Sequence, residues 1–304
     1  MPEEVAADDR ARSFEGDAQS APTRPTAKIR VVTDSAADLD RTVAGEHGVS
    51  IVHLDVRLGA FGPDVTSTWS PEEFWQNSAN VAGLPETSAP SPGAFSAAFS
   101  SLADDSAIHT IPSAPKLSAT YQAAVVGAES VADGIRVQVV DSRFATMAEG
   151  LIVLSAVAAA EAGGDLDDVT AAAVATRGSM QLFGALDSLD NLRKGGRLGS
   201  AQALLGGLLD IKPVLEINDG VLELESRPRT RSRSFERLVS KLREAGDIER
   251  LAIVHAAASD IDVFVELVAS SLAKDRISVG WLGPVIGTHV GRGTVALAVQ
   301  RRVS

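Results

Sequence analysis

Ile29-Arg30-Val31-Val32-Thr33-Asp34-Ser35 is a short β-branched run that ends in a polar pair, the pattern of a strand passing into a loop and a helix start. The unit then recurs. Val49 to Leu58 reads as a second strand, and Ser70-Pro71-Glu72-Glu73 opens a helix with an N-cap serine, proline at the first helical position and glutamate at the third. Pro92 to Leu102 and Leu117 to Val131 have helical apolar spacing. Ala107 to Ile111 and Ile135 to Val140 read as strands, the latter ending in Asp141-Ser142. This alternation predicts an α/β fold with a mostly parallel N-terminal sheet carrying helices on both faces. Ligands approach such a sheet beyond the carboxyl ends of its strands, where Thr33-Asp34-Ser35 and Asp141-Ser142 stand. Helix capping is the competing role for these residues.

The pattern changes after a long helix from Phe144 to Ala162, its Gly163-Gly164 stop, and a further helix from Leu166 to Thr176. Gln181 to Leu186 reads as a strand, Leu189 to Arg197 as a short helix with a glycine stop, and Ala201 to Leu209 as an apolar helix. Ile211 to Ile217 and Val221 to Glu225 flank Asn218-Asp219-Gly220, a strong hairpin signal. Ser234 to Ala245 and Ile261 to Leu272 read as helices; Leu251 to His255, Ile277 to Val285 and Thr294 to Val299 read as strands. We therefore expect an N-terminal α/β domain over 28–175 and a C-terminal α+β domain with a mixed sheet over 176–304. Residues 1–27 are acidic, rich in Ala, Pro and Ser, and lack the apolar run of a signal peptide, so they read as a disordered tail.

With 304 residues and 45% hydrophobic content, the chain can bury a sizeable core. A formal charge of -12 argues against nucleic acid as a partner and against a polybasic membrane anchor. The absence of cysteine removes disulfides and thiolate zinc sites; no metal site is expected, and cytoplasm is the default location. Leu151 to Ala160 is apolar but too short to span a bilayer.

Four polar segments carry chemical content. They are Glu86 to Gly93, Lys116 to Tyr121, Arg193 to Arg197, and Gly283-Pro284-Val285-Ile286-Gly287-Thr288-His289-Val290-Gly291-Arg292-Gly293. In the last, glycines at four positions are expected to keep a turn open, presenting Thr288 and His289 to a small anion beside bare backbone N–H groups. A glycine-rich hairpin with a solvent-facing histidine is the alternative. Thr87 precedes a helix and Ser118 is expected in the first turn of another, where the positive dipole end favours an anion; capping is again the alternative.

Thr33-Asp34-Ser35, Thr87-Ser88-Ala89-Pro90-Ser91-Pro92, Leu117-Ser118-Ala119-Thr120-Tyr121, Leu192 to Arg197, Ile211-Lys212-Pro213 and Gly283 to His289 occur in the order and approximate spacing of the DegV family, which the chain resembles from about Lys28 to Ser304. The resemblance implies a two-domain protein that binds one long-chain fatty acid and presents its carboxylate to the catalytic subunit of a fatty acid kinase, which makes an acyl phosphate for phospholipid synthesis. The chain itself would be non-catalytic and need no cofactor, with the partner supplying the ATP site; transient membrane contact is compatible with such a role. Carried over by motif, Thr87 and Ser118 are carboxylate ligands, His289 is a third polar contact and Arg193 a nearby cation, with Ser88, Thr288 and Gly287 alongside. Ala119, Pro112 to Pro115, Val290 and Arg292 depart from the family's usual residues.

Arg227, Arg229, Arg231 and Arg233 alternate across an extended-looking stretch, which would place them on one face. The resemblance puts this region toward the kinase, so docking or neutralisation of the transferring phosphate is expected; a solvated edge strand is the alternative. Two other functions compete. A stand-alone carrier of lipid or another small anion would use the same head site, while a hydrolase would pair Ser118 or Ser113 with His289 and Asp34, although neither G-x-S-x-G nor a P-loop motif is present.

Overall fold

The computed structural model describes residues 28–302 apart from 82, 103–105, 199–210 and 274–275. The expected tail over 1–27 and the expected helix from Ala201 to Leu209 lie outside the described residues.

A four-stranded parallel sheet has the order β2 (Ser50–Val52), β1 (Lys28–Asp34), β5 (Ser106–Ile111), β6 (Val137–Val139). A six-stranded mixed sheet has the order β11 (Ile277–Trp281), β10 (Ile248–His255), β12 (Val295–Arg301), β7 (Met180–Ala185), β8 (Val214–Asn218), β9 (Val221–Ser226). Only β10 and β11 run parallel in it. The β8–β9 hairpin turns at Asp219 and Gly220, both at positive φ, as a tight two-residue turn requires.

Helices α6 (Thr146–Glu161) and α7 (Leu166–Ser179) lie between the two sheets. One core cluster unites Ile29, Val31 and Ile111 of the first sheet with Leu182, Val254 and Ala298 of the second, joined by Ile152, Val153 and Val169. A helix covered on both sides is apolar nearly all round, which explains the alanine-rich run in α6. Helix α7 runs through position 175, so the sheets meet across shared helices rather than at a linker. Outside them, α4 (Pro92–Ser101) and α5 (Thr120–Glu129) cover the first sheet, whereas α9 (Arg231–Glu244) and α10 (Ile261–Ala269) cover the second.

Three expected elements differ. Val49 to Leu58 is two strands: β2 stays in the first sheet, and β3 (Asp55–Arg57) leaves it to pair antiparallel with β4 (Glu86–Ser88). The break is pinned at Leu54, whose N–H donates to the Ser35 hydroxyl at 2.9 Å. The helix expected from Leu117 starts only at Thr120, leaving Ser118 in the preceding loop. The glycine-rich segment near the C-terminus is a helix, α11 (Pro284–Val290), and the strand before it stops at Trp281. Gly283 serves as its N-cap and Pro284 occupies its first position, where a missing N–H costs nothing. The Ser70 capping box forms as expected at the start of α3 (Pro71–Ser78).

Candidate functional site

The β3–β4 ribbon places Thr87 against the last turn of α11. There the Thr87 Oγ1 and His289 Nε2 lie 2.9 Å apart, a hydrogen bond between residues 202 positions distant in the chain. Helix α11 is wedged in place by close packing. A Cβ on Gly287 would collide with the Trp75 ring, which is itself held by its Nε1–H donating to Leu282 O at 2.7 Å and by Arg292 Nη1 donating to Trp75 O at 2.8 Å. Gly287 therefore serves helix packing, in place of the expected approach of backbone to a ligand. Thr288 is buried and its hydroxyl donates to Pro284 O at 2.8 Å within the helix, so the expected presentation of that hydroxyl does not occur.

From the other side comes α8 (Asp190–Lys194). Asn191 Nδ2 donates to Thr288 O at 3.1 Å, and Gly195 backs onto the imidazole so tightly that a Cβ there would stand 2.9 Å from Nδ1. Asn191 escaped sequence reasoning because nothing local distinguishes it from a helix-surface residue. Burial holds the His289 imidazole at a pKa of about 4, assisted by the nearby Arg197 charge, so the ring is neutral at physiological pH. Its Nδ1 is buried without a hydrogen-bond partner among the described residues. Arg197 is thus the cation that acts on His289, while Arg193 is exposed and pairs with Asp190 at 3.4 Å.

Ser118 stands before α5, half-buried, its Oγ 2.7 Å from Thr120 Oγ1 and accepting the Thr120 N–H at 3.3 Å. Ser88 is exposed, donating weakly to Asp55 at 3.4 Å. Beside α11 lies an apolar cluster of Leu186, Leu192, Leu198 and Leu215, against which Leu222, Leu224 and Val290 pack. Leu192 of α8 belongs to this cluster and Gly195, just after α8, backs the imidazole, so α8 joins the cluster to His289.

The residues of the hydrolase reading do not assemble. Ser113 donates its hydroxyl to Asp34 at 2.8 Å, and Asp34 also accepts the Ser113 and Ala36 N–H groups at 2.8 and 2.7 Å. Among the described residues no serine is bonded to His289. Burial raises the pKa of Asp34 against those bonds and, with the Asp34 and Asp38 charges, that of Glu149 well above the carboxylate range. Thr33 has one proton and faces both Ile111 O at 2.8 Å and Glu149 Oε1 at 3.1 Å, which is satisfied when Glu149 is protonated and donates to Thr33. Asp141 and Ser142 make local turns, accepting from Arg143 N and Phe144 N.

The four arginines do not share one face. Arg227 and Arg229 lie in the exposed segment before α9, whereas Arg231 and Arg233 belong to that helix. Arg231 is a structural residue: it forks onto Asp260 at 3.0 and 3.1 Å, donates to Gly293 O at 2.6 Å and stacks over Phe235. Among the described residues no group of three side chains suits a metal, and no helix is long and apolar enough to cross a membrane.

Residues 28–302 match the family model described as "Uncharacterised protein, DegV family". A DegV domain-containing protein of Streptomyces coelicolor is 34% identical over 291 residues, spanning 90% of this chain and 99% of its own. Among solved structures, a fatty-acid-binding DegV family protein from Thermus thermophilus is 30% identical with a TM-score of 0.80, covering 90% of this chain and 100% of its own. A DegV from Bacillus subtilis described as a fatty acid binding protein is 26% identical with a TM-score of 0.82, over 90% and 99% of the two chains.

Proposed function

This chain belongs to the DegV family, and from that premise we propose that it binds one long-chain fatty acid and presents its carboxylate to a partner kinase for acyl-phosphate formation. The observation that carries the reading is the Thr87–His289 bond set beside the leucine cluster. Because no acceptor faces Nδ1, the neutral imidazole carries its proton on Nε2, an unpaired lone pair costing less than a buried unpaired N–H. Nε2–H then donates to Thr87 Oγ1, which leaves the threonine proton free for an incoming carboxylate. In this reading Ser118, in the loop before α5, supplies a second hydroxyl, and Arg197, whose charge acts on His289, offsets the negative charge. Gly287, Thr288 and Asn191 act behind these groups by fixing α11.

In this reading the acyl chain inserts beside the buried cluster of Leu186, Leu192, Leu198 and Leu215, the apolar side chains nearest α8. At about 0.8 kcal/mol per buried methylene, a dozen methylenes offer about 10 kcal/mol before ordering costs, so the polar groups need only orient the head. Arg227 and Arg229, exposed and free of the Arg231 fork, are the candidates for contact with the kinase. Native mass spectrometry with lipid extraction tests ligand class: one equivalent of fatty acid is expected, and a protein that is empty and refuses palmitate overturns the reading. Acyl-phosphate formation with a fatty acid kinase catalytic subunit and ATP tests the partner. Bound fatty acid that no kinase consumes would instead favour a stand-alone carrier.

A further inference from the structure

A cleft of about 1070 Å³ opens beside α6, between the end of β1, the β10–β11 edge of the second sheet, α3, and the start of α11 at Gly283, Pro284 and Val285. Thr87, Ser118 and His289 do not line it. Val43, Ile51, Trp69, Met147, Leu154 and Trp281 all do, and each is an apolar side chain that packs on the main core yet stays only partly buried. Such residues normally close over one another; here they converge on a common space.

The charged groups around that space are unequally engaged. Its carboxylates have donors: Asp40 caps Thr42 and Val43, Glu73 accepts from Ser70 N, Glu72 from Gln76, and Glu249 from Gln300. Asp34 is occupied by Ser113, and Asp38 accepts from Thr146 through Oδ2 while its Oδ1 is buried without a partner among the described residues. The arginines are not matched in this way. Parallel pairing sets Leu251 opposite Ile277, so Arg250 and Arg276 stand at one level, one residue earlier, on adjacent chain segments. Arg250 bonds Gln300, Leu151 O and Ser155, and Arg276 bonds Ile248 O; neither has a carboxylate in a salt bridge among the described residues. Both arginines line the cleft, and among the described residues Arg250 Nη1 and Arg276 Nη2 have no hydrogen-bond partner, so each guanidinium keeps donors for an anion beyond the nearby Glu249 charge that acts on Arg250.

We propose that this cleft binds a single-chain amphiphile with an anionic headgroup, its chain on Ile51, Met147 and Leu154 and its head at Arg250 and Arg276. The volume suits a small-molecule site, and an apolar wall with few convergent polar groups is its usual composition. The site is distinct from the one at His289 and goes beyond the fatty acid bound there.

The test is native mass spectrometry on protein saturated with palmitate, titrated with dodecyl phosphate or dodecanoate below their micelle concentrations. One additional equivalent is expected. Its affinity should fall at least tenfold in the double variant Arg250→Gln, Arg276→Gln, and equally in Leu154→Trp, which fills the cleft and changes no charge. Thr87→Ala should leave this second equivalent in place while weakening palmitate, so failure at one site is read separately from failure at the other. Preference for the phosphate probe identifies a phosphorylated head, and preference for the carboxylate identifies a second fatty acid. No additional equivalent with either probe, or wild-type affinity in both cleft variants, overturns the proposal.

Discussion

Asp34 at the end of β1 and His289 at the end of α11 are both buried polar groups that the sequence marks out, yet their surroundings differ in kind. Asp34 takes three donors, two from the Ser113 backbone and side chain and one from Ala36, which fill most of what a carboxylate can accept. His289 makes one hydrogen bond, to Thr87, and keeps an unpartnered ring nitrogen beside an apolar cluster. A polar group with its bonds filled holds a fold together; at His289, where Nδ1 is backed by Gly195, the bonding left for a ligand is that of the Thr87 hydroxyl.

The sharpest way to break this contrast is to remove Asp34. Asp34→Ala strands two buried N–H groups, so urea denaturation should show a loss of about 2 to 4 kcal/mol, with fatty acid affinity of the folded fraction unchanged. A loss of affinity with full stability would reverse the roles assigned to the two regions.

Acid titration tests the other side. The His289 imidazole titrates near 6.5 when unfolded and about 4 when folded, so the unfolded chain binds a proton first. Stability contributed by this residue is complete above pH 6.5 and is lost as pH falls toward 4, by up to about 3 kcal/mol. His109, also held at about 4 by burial, adds in the same direction, so His289→Asn should flatten only part of the acid limb. Asp38 opposes it, because burial raises its carboxyl from 3.8 to about 7 and its ionisation costs stability as pH rises through that window. Asp38→Asn should accordingly raise Tm more at pH 8 than at pH 5; an equal gain at both would show that the carboxyl is not titrating there.

Smaller effects should separate binding from folding. Thr87→Ala and Ser118→Ala should each weaken fatty acid by about 1 to 3 kcal/mol in calorimetry, with a smaller change in stability. Normal binding by both would remove the head site from these residues. Arg231→Ala should lower stability by about 1 to 2 kcal/mol through loss of its fork on Asp260, measured by thermal unfolding. Arg227→Glu with Arg229→Glu should stay within about 0.5 kcal/mol of wild type in stability while weakening kinase association. Kinase association that survives the pair would return these arginines to plain surface residues.

Much of the fold was legible because its signals are local. The Ser70 box, the β8–β9 turn and the alternation along the first half depend on residues within a few positions of one another. The segment at Gly283 differs from its expected form for an equally local reason: its glycines suit an open turn, but a glycine followed by proline also starts a helix. The break at Leu54 was illegible, since it rests on Ser35, 19 residues away. Among the candidate site residues, the hydroxyls and the histidine were visible by type, but Asn191 and the role of Arg197 depend on α8 docking against α11.

The sequence by itself determined the α/β alternation, the mixed second sheet and the residue types available for holding a carboxylate, because periodicity, capping and turn chemistry act over a few residues. Tertiary structure alone decided which of those residues face a ligand. Burying α11 between Trp75 and α8 commits Gly287 and Thr288 to packing and brings His289 onto Thr87, and a contact across 202 residues leaves no local trace in the chain.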